Sequence, residues 1–120
     1  MFLGLRTVIY RVHDLAAAKT WYAKAFGTQP YFDQPFYVGF EIGGYELGLQ
    51  PAGADVRPGT NVLTYWGVDD IEAAHAHMLA HGASPHEAIQ DVGEGIKVAA
   101  VTDPFGNVIG LIENPHFKTS

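Results

Sequence analysis

The chain has 120 residues, 48% of them apolar and 17% charged, with no cysteine, which suits one small folded core and excludes a disordered chain, a disulfide framework and thiolate chemistry. The net charge of −6 and the scattered Lys and Arg exclude the clustered phosphate neutralisation that nucleic-acid binding needs. No apolar run approaches the roughly 20 residues of a membrane span, and Met1–Arg6 lacks the features of a signal peptide, so a cytoplasmic location without membrane partners is expected.

The first element is a strand, Thr7 to Val12, with alternating side chains. Asp14 follows where a helix N-cap belongs. Ala18, Trp21, Tyr22, Ala25 and Phe26 then recur at helical spacing as one apolar face, and Gly27 suits a left-handed C-cap. Pro30 to Pro35 reads as a connection or short edge strand. Phe36 to Ile42 and Tyr45 to Gln50 read as a hairpin around Gly43-Gly44, a dipeptide suited to a turn with positive φ. A Pro- and Gly-containing linker follows.

The scheme then repeats. Asn61 to Val68 is a predicted strand, Asp69 or Asp70 the cap, and Ile71, Ala74, His75, Met78 and Leu79 the buried side of a helix stopping at Gly82. Ile96 to Thr102 and Val108 to Glu113 form a predicted hairpin joined by Asp103-Pro104-Phe105-Gly106-Asn107, whose Pro, Gly and Asn suit a turn. The repetition is visible residue by residue: Val12, Asp14, Leu15 and Ala17 fall on Val68, Asp70, Ile71 and Ala73. Gly43 to Pro51 is likewise echoed by Asn107 to Pro115. The expected fold is α+β: one domain over residues 1–120, made of two tandem βαββ(β) units that form a rolled mixed sheet around a groove. Unit one spans about 5–51, the linker about 52–60 and unit two about 61–115.

Val12-x-Asp14-Leu15, Trp21-Tyr22, Phe26-Gly27 and the closing Asp103-Pro104-Phe105-Gly106-Asn107, in this order, resemble the vicinal oxygen chelate superfamily. That superfamily includes glyoxalases, extradiol dioxygenases, fosfomycin-resistance enzymes and bleomycin-resistance proteins. The resemblance implies a homodimer and, in the family's enzymes, a divalent metal held by four inward-facing side chains, two from each unit. The matching positions here are Thr7, Glu46, Leu63 and Gly110. One carboxylate beside a leucine and a glycine does not complete a zinc, nickel, iron or manganese site. The expectation is therefore a family member without a functional metal and without a cofactor.

Period-two alternation predicts what faces the groove. Thr7, Ile9 and Arg11 point inward from the first strand; Glu46, Gly48 and Gln50 do so from the strand after Gly43-Gly44, leaving Tyr45, Leu47 and Leu49 toward the helices. Leu63, Tyr65 and Gly67, with Val108, Gly110 and Ile112, complete the lining. A mostly apolar hollow with few polar handles is how small-molecule sites usually look. Ile9, Leu63, Tyr65 and Ile112 would supply apolar contact.

Glu46 stands out. Loss of hydration in such a hollow favours the neutral form of a carboxyl, suiting it to general acid–base work or, when ionised, to capture of a cationic group. An ion pair with Arg11 would quench either role. The functional readings are a metal-independent binder of a metabolite or antibiotic, a glyoxalase-like lyase or isomerase with Glu46 as base, and, last, a dioxygenase, for which iron has no histidine ligands.

Other groups point elsewhere. His77 and His81 have the i,i+4 spacing of a two-histidine metal pair, but with His75 they read as a helix face and its C-terminal end. His13, His86 and His116 read as surface residues, and Asp69-Asp70 as helix capping. Gly93-Glu94-Gly95 precedes a strand and so is no phosphate loop. Ser84 and Ser120 have no neighbouring His or Asp for nucleophilic chemistry. The aromatic residues Tyr31, Phe32, Phe36, Tyr37 and Phe40 read as core filling, a groove wall or a dimer contact.

Overall fold

The computed structural model describes residues 1–117; Ser120 lies outside them. The chain divides into two compact units, Met1–Arg57 and Pro58–Ser120, each with a four-stranded sheet and one helix.

In the first unit, β1 (Thr7–Val12) runs into α1 (Leu15–Phe26), followed by β2 (Phe32–Gln34), β3 (Tyr37–Ile42) and β4 (Tyr45–Pro51). The Asp14 carboxylate accepts from the Ala17 N–H at 3.0 Å, satisfying a free donor of the first helical turn. Gly27, at φ 67°, closes α1 with its N–H on the Ala23 carbonyl. The sheet order is β1-β4-β3-β2, with β1 parallel to β4 and the other pairs antiparallel. One face is the core: Tyr10, Val12, Val38, Phe40, Leu47 and Leu49 are buried, as are Ala18, Tyr22 and Ala25 of α1. Tyr22 stacks on Tyr10 and Phe26 at 5.8 and 5.6 Å. Alternation then sends Thr7, Ile9 and Arg11, and Glu46, Gly48 and Gln50, to the opposite face. Gly43 and Gly44 (φ 57° and 91°) make the tight turn that fixes the β3–β4 register.

The second unit runs β5 (Tyr65–Gly67), α2 (Ile71–Ala80), β6 (Ser84–Gly93), β7 (Ile96–Thr102) and β8 (Val108–Glu113), in sheet order β5-β8-β7-β6. Asp70, not Asp69, caps α2, accepting from the Ala73 N–H at 3.1 Å. The helix ends at Ala80, two residues before the expected Gly82, because the His81 N–H already turns back onto the last carbonyls. β5 is shorter than the expected strand, and Leu63 lies ahead of it. β6 escaped the sequence pattern. It is a polar edge strand whose residues are nearly all exposed and whose ladder shifts register three times, so β7 holds it by backbone bonds rather than by a buried face.

Asp103, 4% exposed, organises the β7–β8 turn. Its carboxylate accepts from the N–H groups of Phe105 (2.9 Å) and Asn107 (2.8 Å) and from Asn107 Nδ2 (3.1 Å). Replacing it with alanine strands two backbone donors, at a cost of about 2 kcal/mol or more. Asp103→Ala is expected to lower the urea midpoint accordingly without changing the slope of the transition.

Candidate functional site

The open face of the first unit carries rows of cross-strand neighbours. Thr7, Glu46 and Glu41 lie side by side across β1, β4 and β3. In the next row, Ile9, Gly48, Gly39 and Phe32 face one another across all four strands. Two glycines at the centre of that row leave a trough. The Tyr37 ring lies in it: a β-carbon added at Gly48 would come within 2.7 Å of Tyr37 Cε1 and Cζ. Gly39 lies beneath both Tyr37 and Tyr31, whose ring atoms would stand 3.2 and 3.3 Å from a β-carbon there.

This glycine floor delivers two phenols to one carboxylate. Tyr31 donates its hydroxyl to Glu46 Oε1 and Tyr37 donates to Oε2. The ion pair with Arg11 that would quench Glu46 is not what forms: Arg11 lies further along β1, opposite Gln50, and its Nε donates to Gln50 Oε1 at 3.3 Å. The contacts shift both phenols. Tyr31 is raised above 10.0 by its hydrogen bond to Glu46, then by desolvation and the Glu46 charge. For Tyr37, also raised, burial comes first, then the hydrogen bond and the charge of Glu46.

Glu46 opens onto a depression of about 500 Å³. Arg6, Thr7 and Tyr31 line it together with Glu41, Glu46 and the hairpin end at Gly44 and Tyr45. Tyr45 was expected toward the helix; it is 40% exposed beside the tight turn and joins the lining instead. Glu41 Oε1 accepts from the Gly44 N–H at 3.0 Å, and Arg6 Nη1 donates to the Leu3 carbonyl at 3.0 Å. Of the expected binding residues, Thr7 and Glu46 line this depression, while Ile9, Arg11 and Gln50 lie outside its lining on the same sheet face. Arg6, Glu41 and Tyr45 were not anticipated as site residues, and Tyr31 and Tyr37 were anticipated only among aromatic residues that read as core filling, a groove wall or a dimer contact. Tyr37, Gly39 and Glu41 alternate along one strand opposite Gly48 and Glu46, and that shared period was the available signal.

In the second unit, β5 pairs with β8 so that Tyr65, rather than Leu63, stands opposite Gly110, and Gly67 stands opposite Ile112. A β-carbon at Gly110 would meet the Thr64 carbonyl at 2.7 Å and Tyr65 Cδ1 at 2.8 Å. No ligating side chain fits there without moving backbone. The metal that the family resemblance implies is therefore poorly matched: Thr7 and Tyr65, the strand neighbours of Glu46 and Gly110, offer hydroxyls, Leu63 and Gly110 offer no donor atom, and the Glu46 oxygens accept from two phenols.

Two further groups have local explanations. Asp70, Glu72 and Glu113 bring carboxylate oxygens within 4.8 Å of one another, but Asp70 caps the helix, Glu113 accepts from the Ile71 N–H at 2.9 Å, and Glu72 pairs with Lys97 at 3.3 Å. His77 and His81 lie ring to ring at 4.2 Å, with His81 Nδ1 2.8 Å from the His77 carbonyl, as side chains closing a helix end.

Gly48→Ala is expected to push Tyr37 off Glu46 and cost about 1–3 kcal/mol in a chemical denaturation experiment. The raised phenols also set a pH limit. The folded state holds these protons more tightly than the unfolded chain, so their contribution to stability is complete below pH 10.0 and is lost as pH rises from there through the raised values. In Glu46→Gln, tyrosinate absorbance is expected to develop at lower pH than in the wild type, because the anion that opposes phenol ionisation is gone.

Solved structures share this fold. A glyoxalase-related enzyme from Fulvimarina pelagi matches with a TM-score of 0.80 at 18% identity, over 99% of this chain and 94% of that one. A glyoxalase/bleomycin resistance protein/dioxygenase family enzyme from Burkholderia phytofirmans PsJN gives 0.77 at 21% identity, over 89% and 95%. A lactoylglutathione lyase from Agrobacterium tumefaciens gives 0.75 at 20%, over 98% and 100%. No curated protein matches the sequence. The family model for the Glyoxalase/Bleomycin resistance protein/Dioxygenase superfamily spans residues 4–111, and the chain, with its two βαββ units, belongs to that superfamily.

Proposed function

We propose that this chain is a metal-independent binder of small molecules carrying a positively charged nitrogen, such as a metabolite or an antibiotic. The observation that carries this reading is the Glu46 carboxylate, aimed into the depression by two phenols with Glu41 directly opposite on the next strand. Like charges facing each other across a ladder repel, and a bound cation relieves that repulsion. Tyr31 and Tyr45, 63% and 40% exposed, offer aromatic faces over which a cation is attracted. The donor set argues against the family's metal on its own chemistry, since Glu46 is the one carboxylate among the four matching positions.

A second reading, a lyase or isomerase with Glu46 as base, draws on the same contacts: a carboxylate in hydrogen-bond contact with two phenols places proton acceptor and donors at one point. The readings separate in Glu46→Gln. Loss of turnover with retained ligand binding supports the enzyme, whereas loss of binding supports the binder. We also propose a homodimer and a cytoplasmic location. The exposed aromatic pair Phe32 and Phe36, 6.0 Å apart at edge strand β2, is suited to a partner surface.

Calorimetric titration with benzylammonium tests the binder directly. The wild type is expected to bind it, and Glu46→Gln to bind at least about tenfold more weakly, a loss of roughly 1.4 kcal/mol. Equal affinity in the two proteins would contradict the proposal.

A further inference from the structure

The two phenols on Glu46 are not equivalent. Tyr37 donates to Oε2, is half-buried and lies over Gly48, in space that any β-carbon there would contest. It belongs to β3, which is paired on both sides by β2 and β4. Tyr31 donates to the other oxygen, Oε1, lines the depression and is 63% exposed. It precedes the three-residue edge strand β2 and is tied to the sheet by its own N–H on the Gly39 carbonyl at 3.0 Å. Rotation about its side-chain bonds therefore carries the phenol away from Glu46 without breaking that backbone bond.

We infer that Tyr31 is a resident hydrogen-bond donor that the ligand's own donor displaces, while Tyr37 stays as the fixed partner that orients Glu46. In the empty site both carboxylate oxygens are satisfied, so the half-buried acid is never left bare. On binding, an O–H···O⁻ bond from Tyr31 is exchanged for an N⁺–H···O⁻ bond from the ligand, and the number of bonds to Oε1 is unchanged. The exchange is favourable because both bonds are charge-assisted and the cation adds an attraction between opposite full charges that the neutral phenol does not supply. It also imposes a selection rule: a group entering the depression needs an N–H donor as well as charge. A quaternary ammonium, with charge and no donor, leaves Oε1 with Tyr31. Tyr31 thus sets specificity, and it does so by leaving. The inference rests on the binding reading above and deepens it, naming protonated amines and guanidinium groups as the ligand class.

Benzylammonium and benzyltrimethylammonium serve as probes, titrated against the wild type, Tyr31→Phe and Tyr37→Phe. Benzylammonium is expected to bind Tyr31→Phe several-fold more tightly than the wild type, because the competing donor is gone, and Tyr37→Phe more weakly. The wild type is expected to prefer the primary amine, and the tyrosine difference spectrum produced by benzylammonium should vanish in Tyr31→Phe but persist in Tyr37→Phe. Weaker binding by Tyr31→Phe, or a difference spectrum that survives in it, would overturn the inference, since Tyr31 would then be holding the ligand or taking no part. Failure of the wild type to bind either probe would count against the binding reading. The asymmetry is then read without ligand, by NMR exchange of the two phenolic protons with water. Faster exchange at Tyr31 supports it, and equal rates overturn it.

Discussion

A carboxylate on the open face of a β-sheet must replace the water it gives up, and here the replacement is two phenols. Tyr31 and Tyr37 reach Glu46 because Gly39 and Gly48, neighbours across β3 and β4, leave the sheet bare beneath them. Any larger side chain at Gly48 would occupy the place of the Tyr37 ring. The hydrogen bonds that fix Glu46 and the late ionisation of both tyrosines follow from that local arrangement.

The same arrangement supports the proposal that this chain works without the metal of its superfamily's enzymes. A metal site needs several donor side chains, and the family's other positions here are a threonine, a leucine and a glycine, while Glu46 already accepts from two hydroxyls. At the matching position on β8, Gly110 is hemmed in by the Thr64 carbonyl and the Tyr65 ring, so the absence of a ligand there is enforced by packing. A shared fold carries a family's geometry; the chemistry stays with particular side chains.

Much of the architecture was legible in the sequence because its signals are local. Asp14, Gly27, Gly43-Gly44 and the Asp103–Asn107 turn each act within a few residues, and the structure places each in its expected role. β6 was not legible, since an edge strand exposed on both faces has no apolar alternation to read. The site was legible in part. Alternation placed Thr7 and Glu46 on the open face, but the partners of Glu46 depend on which residues two glycines expose across neighbouring strands. A one-dimensional period cannot show that. The Arg11 pairing failed for a related reason: opposite charges attract only within reach, and the parallel register sets Arg11 against Gln50.

The most direct test is a crystal structure of the protein grown with excess nickel or zinc, with anomalous diffraction used to locate any ion. Both phenols should remain on the Glu46 carboxylate with no ion coordinated by it. An ion bound to Glu46 and two or more other side chains of the protein, with the tyrosines turned away, would contradict this account.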